Sequence, residues 1–209
     1  MDGGAIPPTV PLQAAGPAVA ADQPRVRVWD PVVRVFHWSL ATAVVSAYFV
    51  TQNSWIHENA GYLALGLVVV RLVWGFLGPK YARFSQFLRG PAEVIGYLRD
   101  LPRGHARRSL GHNPAGGWSI IAMLFMIATV ALSGIMMNTD RFWGSALVED
   151  IHTLSADVLM GLVVIHLCGV LASSLAQKEN LVIAMITGRK RSLKPDETVE
   201  TAGPARTSD

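Results

Sequence analysis

Four apolar runs, at about 32–51, 57–77, 117–138 and 151–176, constrain this chain more than any other feature. A helix needs about 20 mostly apolar residues to cross the hydrocarbon core of a bilayer. Within that core every backbone N–H and C=O must be bonded inside the protein, so only helices and closed barrels span it. Runs of this length without strict alternation read as helices. Buried helices of a soluble protein are the competing reading, and four such lengths in 209 residues argue against it. Charge points the same way: Asp, Glu, Lys and Arg make up 16% of the chain, against roughly 25% in ordinary soluble domains. The expected fold is all-α, an integral-membrane four-helix bundle occupying residues 25–192. Residues 1–24 are rich in Ala, Pro and Gly and lack a basic stretch followed by an apolar one. They read as a disordered tail, not a cleaved signal, and 193–209 read as a second disordered tail.

Orientation follows from Lys and Arg in the short flanks. Arg25, Arg27 and Arg34 stand at the first span, and Lys80, Arg83, Arg89, Arg99, Arg103, Arg107 and Arg108 between the second and third. Lys178, Arg189, Lys190, Arg191 and Lys194 follow the fourth. The other two loops offer only Glu58 on one side and Asp140, Arg141, Glu149 and Asp150 on the other. Both termini and the central loop are therefore expected in the cytoplasm. These basic flanks carry no nucleic-acid-binding motif, and anionic lipid headgroups are their ordinary partners. Residues 84–101 space their apolar side chains (Phe84, Phe87, Leu88, Val94, Ile95, Tyr97, Leu98) like an amphipathic helix lying along the membrane surface, with a plain loop as the alternative.

Ionisable groups inside a span are costly and are functional candidates by default. Four of the six histidines qualify: His37, His57, His152 and His166. The fourteen residues from His152 to His166 make just under four helical turns, so both side chains leave one face of one helix, about 21 Å apart along its axis. His57 opens the second span at the outer level of His152. His37 precedes Thr51 by fourteen residues, which sets it at the inner level of His166. The expected pairs are His57 with His152 and His37 with His166, each drawn from two helices, as a cofactor in a bundle core requires. Two neutral imidazoles saturating a haem iron suit electron transfer. Zinc would want a third or fourth ligand, and Glu58, Glu149 and Asp150 read as loop residues. One cysteine, Cys168 in an apolar run, excludes a disulfide framework, a cysteine-based metal site and covalent haem attachment. Hydrogen-bonded helix histidines with no cofactor are the bland alternative.

Arg71, fourteen residues after His57, belongs to the inner level. A lone guanidinium in a span needs an anionic partner, and a haem propionate would serve; snorkelling to the headgroups is the alternative. Gly61, Gly66, Gly134, Gly161 and Gly169 make room for flat macrocycles or for close helix packing. His105 and His112 fall in the basic loop and read as solvated. Asn113 is either the N-cap of the third span or a contact for a quinone carbonyl.

With these residues in place the sequence resembles the bacterial cytochrome b561 family. That family includes the b-type cytochrome subunits of nickel–iron hydrogenases and is related to formate dehydrogenase gamma subunits. The resemblance rests on VWDPVVRVFHW (28–38), HENAGYLALGLVVVRLVWGFLGP (57–79), GHNPAGG (111–117), IHTLSADVLMGLVVIHLCG (151–169) and ENLVIAMITGRKR (179–191). It implies a bundle with two haems b, axial ligands at His37, His57, His152 and His166, and electron exchange with quinone, ubiquinone being the candidate substrate. It also implies the bacterial inner membrane and a periplasmic or membrane-bound cytochrome or dehydrogenase as partner, with superoxide as another donor. The family fold sometimes adds a fifth helix; this chain ends soon after its fourth span, which lowers the expectation of a large hydrogenase-type subunit and leaves a shorter complex open. A non-redox anchor subunit is the alternative function, and transport has less support because Asp157 is the only acidic residue deep in a span.

Overall fold

The computed structural model describes residues 24–50, 55–103 and 109–192. The two expected tails apart from Pro24, the end of the first run at Thr51, and His105 lie outside the described residues. A short strand β1 (Arg25–Arg27) leads into helix α1 (Pro31–Phe49), and α2 (Trp55–Leu77) follows. After a 3-10 turn at Lys80–Ala82 come the short α3 (Phe84–Phe87), α4 (Pro91–Asp100), and the long α5 (Pro114–Met137) and α6 (Ala146–Ala176). A final helix α7 (Leu181–Thr187) runs into strand β2 (Arg189–Arg191). Among the described residues, helices α1, α2, α5 and α6 are the four with the length and apolarity to cross a membrane, at 19, 23, 24 and 31 residues.

Local chemistry explains where these helices start. Asp30 caps α1 by accepting from the Val33 N–H at 3.1 Å, and Asn113 caps α5 by accepting from Gly116 at 2.7 Å. In each case a proline follows at the first helical position, where its missing N–H costs nothing. Helix α6 begins at Ala146, five residues before the apolar run at 151. Glu149 lies in its first turn, where a carboxylate suits the positive end of the helix dipole. Glu58, Glu149 and Asp150 are thus helical, not loop residues as the sequence suggested. Among the described residues they still assemble no cluster of three metal-binding side chains.

Helix α5 packs most extensively on α6, α1 on α2, and α2 on α5. A core cluster of Ala43, Ala64, Val68, Leu124, Ile127 and Leu159 joins all four, and Phe84 and Phe87 complete it. Large apolar side chains elsewhere on the four helices face outward, Val35, Phe76 and Ile165 among them. An apolar surface of this extent is untenable in water and ordinary in lipid.

The segment 84–101 is not one surface helix. It breaks at 88–90, where Pro91 starts α4, and the preceding turn α3 dives into the interior. Gly75 and Gly117 make this possible: a Cβ on Gly75 would run into the Phe84 ring, and one on Gly117 would lie 2.7 Å from the Phe87 carbonyl oxygen. Only α4 keeps the half-exposed character expected, with Tyr97 buried and Ile95 and Leu98 outward.

At the same end, β1 and β2 pair antiparallel, Arg25 opposite Arg191 and Arg27 opposite Arg189. Gly188 takes φ 78° to turn α7 into β2, and its carbonyl accepts from the N–H groups of Val28 and Trp29 at 2.9 and 3.1 Å. A Cβ there would sit 2.7 Å from the Trp29 carbonyl oxygen, so backbone angle and space both require glycine. The segments before α1 and after α7 are thereby clasped together over one end of the helices, here called the termini end.

Candidate functional site

Away from the termini end, His57 lies on the third residue of α2 and His152 on the seventh of α6. Their rings meet with centroids 6.0 Å apart and planes at 62°. The Nδ1 of His57 lies 2.9 Å from the Ala47 carbonyl oxygen in α1, and the Nδ1 of His152 lies 2.9 Å from the Val130 carbonyl oxygen in α5. A carbonyl only accepts, so each Nδ1 carries a proton, and a neutral ring then offers its lone pair at Nε2. This is how a metal-ligating imidazole is usually oriented. Ser133 Oγ stands 3.2 Å from the His152 Nδ1 and donates to the carbonyls of Thr129 and Val130. Gly134 leaves the ring its place: a Cβ there would be 3.1 Å from the His152 Cε1.

These histidines face a cleft of about 1160 Å³, counting its open mouth. Small residues line it from all four helices, including Ala47, Ala60, Gly61, Ala131, Gly134 and Ala156. Tyr48 of α1 donates to Asp157 of α6 at 3.3 Å. Imidazole nitrogen sits about 2 Å from a first-row metal, and adding about 1 Å to each ring centre puts two opposed rings roughly 6 Å apart. The observed separation leaves room for one metal ion between the His57 and His152 rings.

The second pair is arranged differently. His37 of α1 packs edge-on against Trp38 at 5.1 Å, and its Nδ1 is buried without a hydrogen-bond partner. His166 lies within electrostatic reach of it, but among the described residues no ring-to-ring contact joins them. Arg71, 3% exposed, does not snorkel. Its Nη1 donates to the Ala82 carbonyl at 2.9 Å, and its guanidinium lies 5.0 Å above the Phe84 ring and 5.9 Å above that of Phe87.

His112, expected in solvent, is instead part of this end. It lies between Trp29 and Phe87, with ring centroids 4.5 and 5.0 Å away. By surface area the ring is partly covered, not sealed; the atoms packed around it nonetheless hold its pKa down to about 3. Burial is the main cause, followed by the positive charges of Arg71 and Lys190 and by His166 and His37. His112 is therefore neutral at any ordinary pH. The signal available in the sequence was its position beside the cap of a spanning helix, which leaves little distance between it and the interior. Lys190 was likewise missed. Counted among the basic flanks, it is 5% exposed, donates from Nζ to the Ser109 and Gly111 carbonyls at 3.2 and 3.4 Å, and lies 5.8 Å from the Trp29 ring. Asn113, besides capping α5, donates from Nδ2 to Ser173 Oγ at 3.3 Å.

The chain is similar to known proteins across this whole region. A probable Ni/Fe-hydrogenase B-type cytochrome subunit of Rhizobium leguminosarum bv. viciae is 21% identical over 220 residues, covering 82% of this chain and 91% of that protein. A second probable Ni/Fe-hydrogenase B-type cytochrome subunit, from Bradyrhizobium diazoefficiens, is 21% identical over 239 residues, covering 87% of this chain and 96% of that protein. No solved structure matches significantly. The family model described as prokaryotic cytochrome b561 matches residues 28–188, which take in all four spanning helices, both histidine pairs and Arg71. The chain belongs to the prokaryotic cytochrome b561 family.

Proposed function

We propose that this chain is a membrane electron carrier with two haem b sites, passing electrons between the quinone pool and a protein redox partner. Membership of a b-type cytochrome family supports haem and electron transfer as its chemistry. The observation that carries the site assignment is the meeting of His57 and His152 at 6.0 Å, with each Nδ1 already committed to a backbone carbonyl. Those carbonyls fix the tautomer and leave Nε2 of each ring for iron. Haem b, when bound, would supply a one-electron couple, and His57 and His152 would hold its iron through Nε2. His37 and His166 are assigned as the second axial pair, about 21 Å from the first by the rise along α6.

The remaining residues exclude water and place charge. Arg71 is assigned to a propionate at the second site, where its buried cation needs an anion. Asn113 is the candidate for a quinone carbonyl, through the amide that now donates to Ser173. The clasp unites the arginines of β1 and β2 with the loop between α2 and α5 at one end, which supports placing both termini in the cytoplasm by the positive-inside rule and the protein in a bacterial inner membrane. The names of its relatives support a membrane-bound redox enzyme, a hydrogenase or similar dehydrogenase, as partner.

Purified protein is expected to show a reduced b-type spectrum with two haems per chain, and added quinol should reduce it. Protein that is folded in detergent and colourless would instead assign the chain to a non-redox anchor.

A further inference from the structure

The termini end holds more unsatisfied polar chemistry than a pair of axial ligands accounts for. His57 and His152 have protein partners for Nδ1, whereas the His37 Nδ1 is buried with none. Among the described residues no hydrogen bond reaches either ring nitrogen of His112. Leaving a buried polar group unpaired is costly, so the His37 imidazole points to a ligand at this end, and the His112 nitrogens, unpartnered and not sealed, are open to it.

The surroundings of His112 specify that ligand. Trp29 and Phe87 fix its ring from two sides, and the Arg71 guanidinium stacks on the same Phe87 ring at 5.9 Å. One fully charged donor and one neutral N–H donor thus stand at a single aromatic side chain. The acid acting on Arg71 is Asp30, whose carboxylate already caps α1 and faces the Trp74 indole at 3.5 Å. A second anion with two oxygens matches the pair: Arg71 neutralises it and His112 adds a hydrogen bond without adding charge.

We propose that His112 is a cofactor-binding residue, which together with Arg71 receives a propionate carboxylate of the haem held by His37 and His166. This rests on the two-site reading given above. A lipid headgroup offers similar anionic oxygens, and the test separates the two sources.

The test is a redox titration of the haem spectrum, following the component that disappears in His37→Ala. His112→Phe preserves a ring between Trp29 and Phe87 and removes the donor. The carboxylate is then less well compensated, which favours the ferric state. The reduction equilibrium of that component should fall roughly threefold to tenfold, tenfold being about 59 mV for one electron, while the other component stays put. His112→Gln, which keeps a neutral donor, should recover most of the loss, and His112→Met, of similar size without a donor, should not. The Gln and Met pair carries the comparison if the Phe variant does not assemble. In protein reconstituted with haem dimethyl ester, wild type and His112→Phe should titrate alike.

An unshifted component in all three variants overturns the proposal. So does a shift that persists with the ester, which would place His112 on a lipid oxygen or in a packing role. Wild-type protein lacking two haems would overturn the two-site reading itself, before any variant is compared.

Discussion

The two histidine pairs are built by different means. His57 and His152 stand on long helices, take their Nδ1 partners from backbone carbonyls of the adjacent helices, and face a cleft walled by alanine and glycine. His37 and His166 stand on helices too, but the groups gathered around Arg71 and His112 at that end come from everywhere else. Phe84 and Phe87 come from α3, His112 from the approach to α5, Trp29 from the entry to α1, and Lys190 from β2. The first site is a product of helix packing alone. The second needs segments far apart in sequence, and its polar groups are left incomplete by the protein. Electrostatics differ as well: Arg71 and Lys190 are both buried at the termini end, and among the described residues no Lys or Arg lines the His57–His152 cleft.

The largest effects come from removing ligands, and they would break the comparison if the pairs are wrong. His57→Ala and His152→Ala should each abolish the same spectral component, and His37→Ala and His166→Ala the other, leaving about one haem per chain by haemochrome assay. If His37→Ala and His57→Ala removed one shared component, the two-layer division would be lost.

A smaller but selective effect is expected from Gly134→Val. Its Cβ would press on the His152 Cε1 from 3.1 Å and force the ring off its axis. Occupancy of the His57–His152 site should fall severalfold while the second site keeps its haem. Equal loss at both sites would show that the two are not independent moulds.

Smallest is Ser133→Ala. It removes a hydroxyl 3.2 Å from the His152 Nδ1 but leaves the Val130 carbonyl in place. One neutral hydrogen bond is worth about 1 kcal/mol, so the midpoint of the first component should move by less than about 45 mV, 1 kcal/mol being about 43 mV for one electron by the same conversion that makes tenfold 59 mV. A shift of the second component instead would reverse the assignment of spectra to sites.

The sequence was informative where one helix carries the information. The fourteen-residue interval on one helix led to the pairing of His57 with His152, whose rings do meet, apolar runs marked the four spans, and Asn113 followed by proline marked a helix start. It was silent where pairing spans long separations. Nothing local announces that Lys190 reaches Ser109 and Gly111, or that β1 finds β2 across the full length of the helical region. The apolar spacing of 84–101 was read as a single face because the period alone does not reveal that Gly75 and Gly117 open slots for Phe84 and Phe87. His112 was misplaced for a related reason: a loop position implies water only when no other segment folds over it.

The clasp also orders events in time. Its second strand, Arg189–Arg191, is among the last described residues that a ribosome would make, and its partner at Arg25–Arg27 is among the first. The His57–His152 site can take shape as soon as α6 has entered the bilayer and met α2. The environment of His112, roofed by Trp29 and backed by Lys190, is finished only when the two ends of the chain find one another. Such distant contacts form late, because the intervening loop must be closed before they bring any gain. A nascent or truncated chain would thus complete the His57–His152 cleft first and the termini end, with its His112 environment, last.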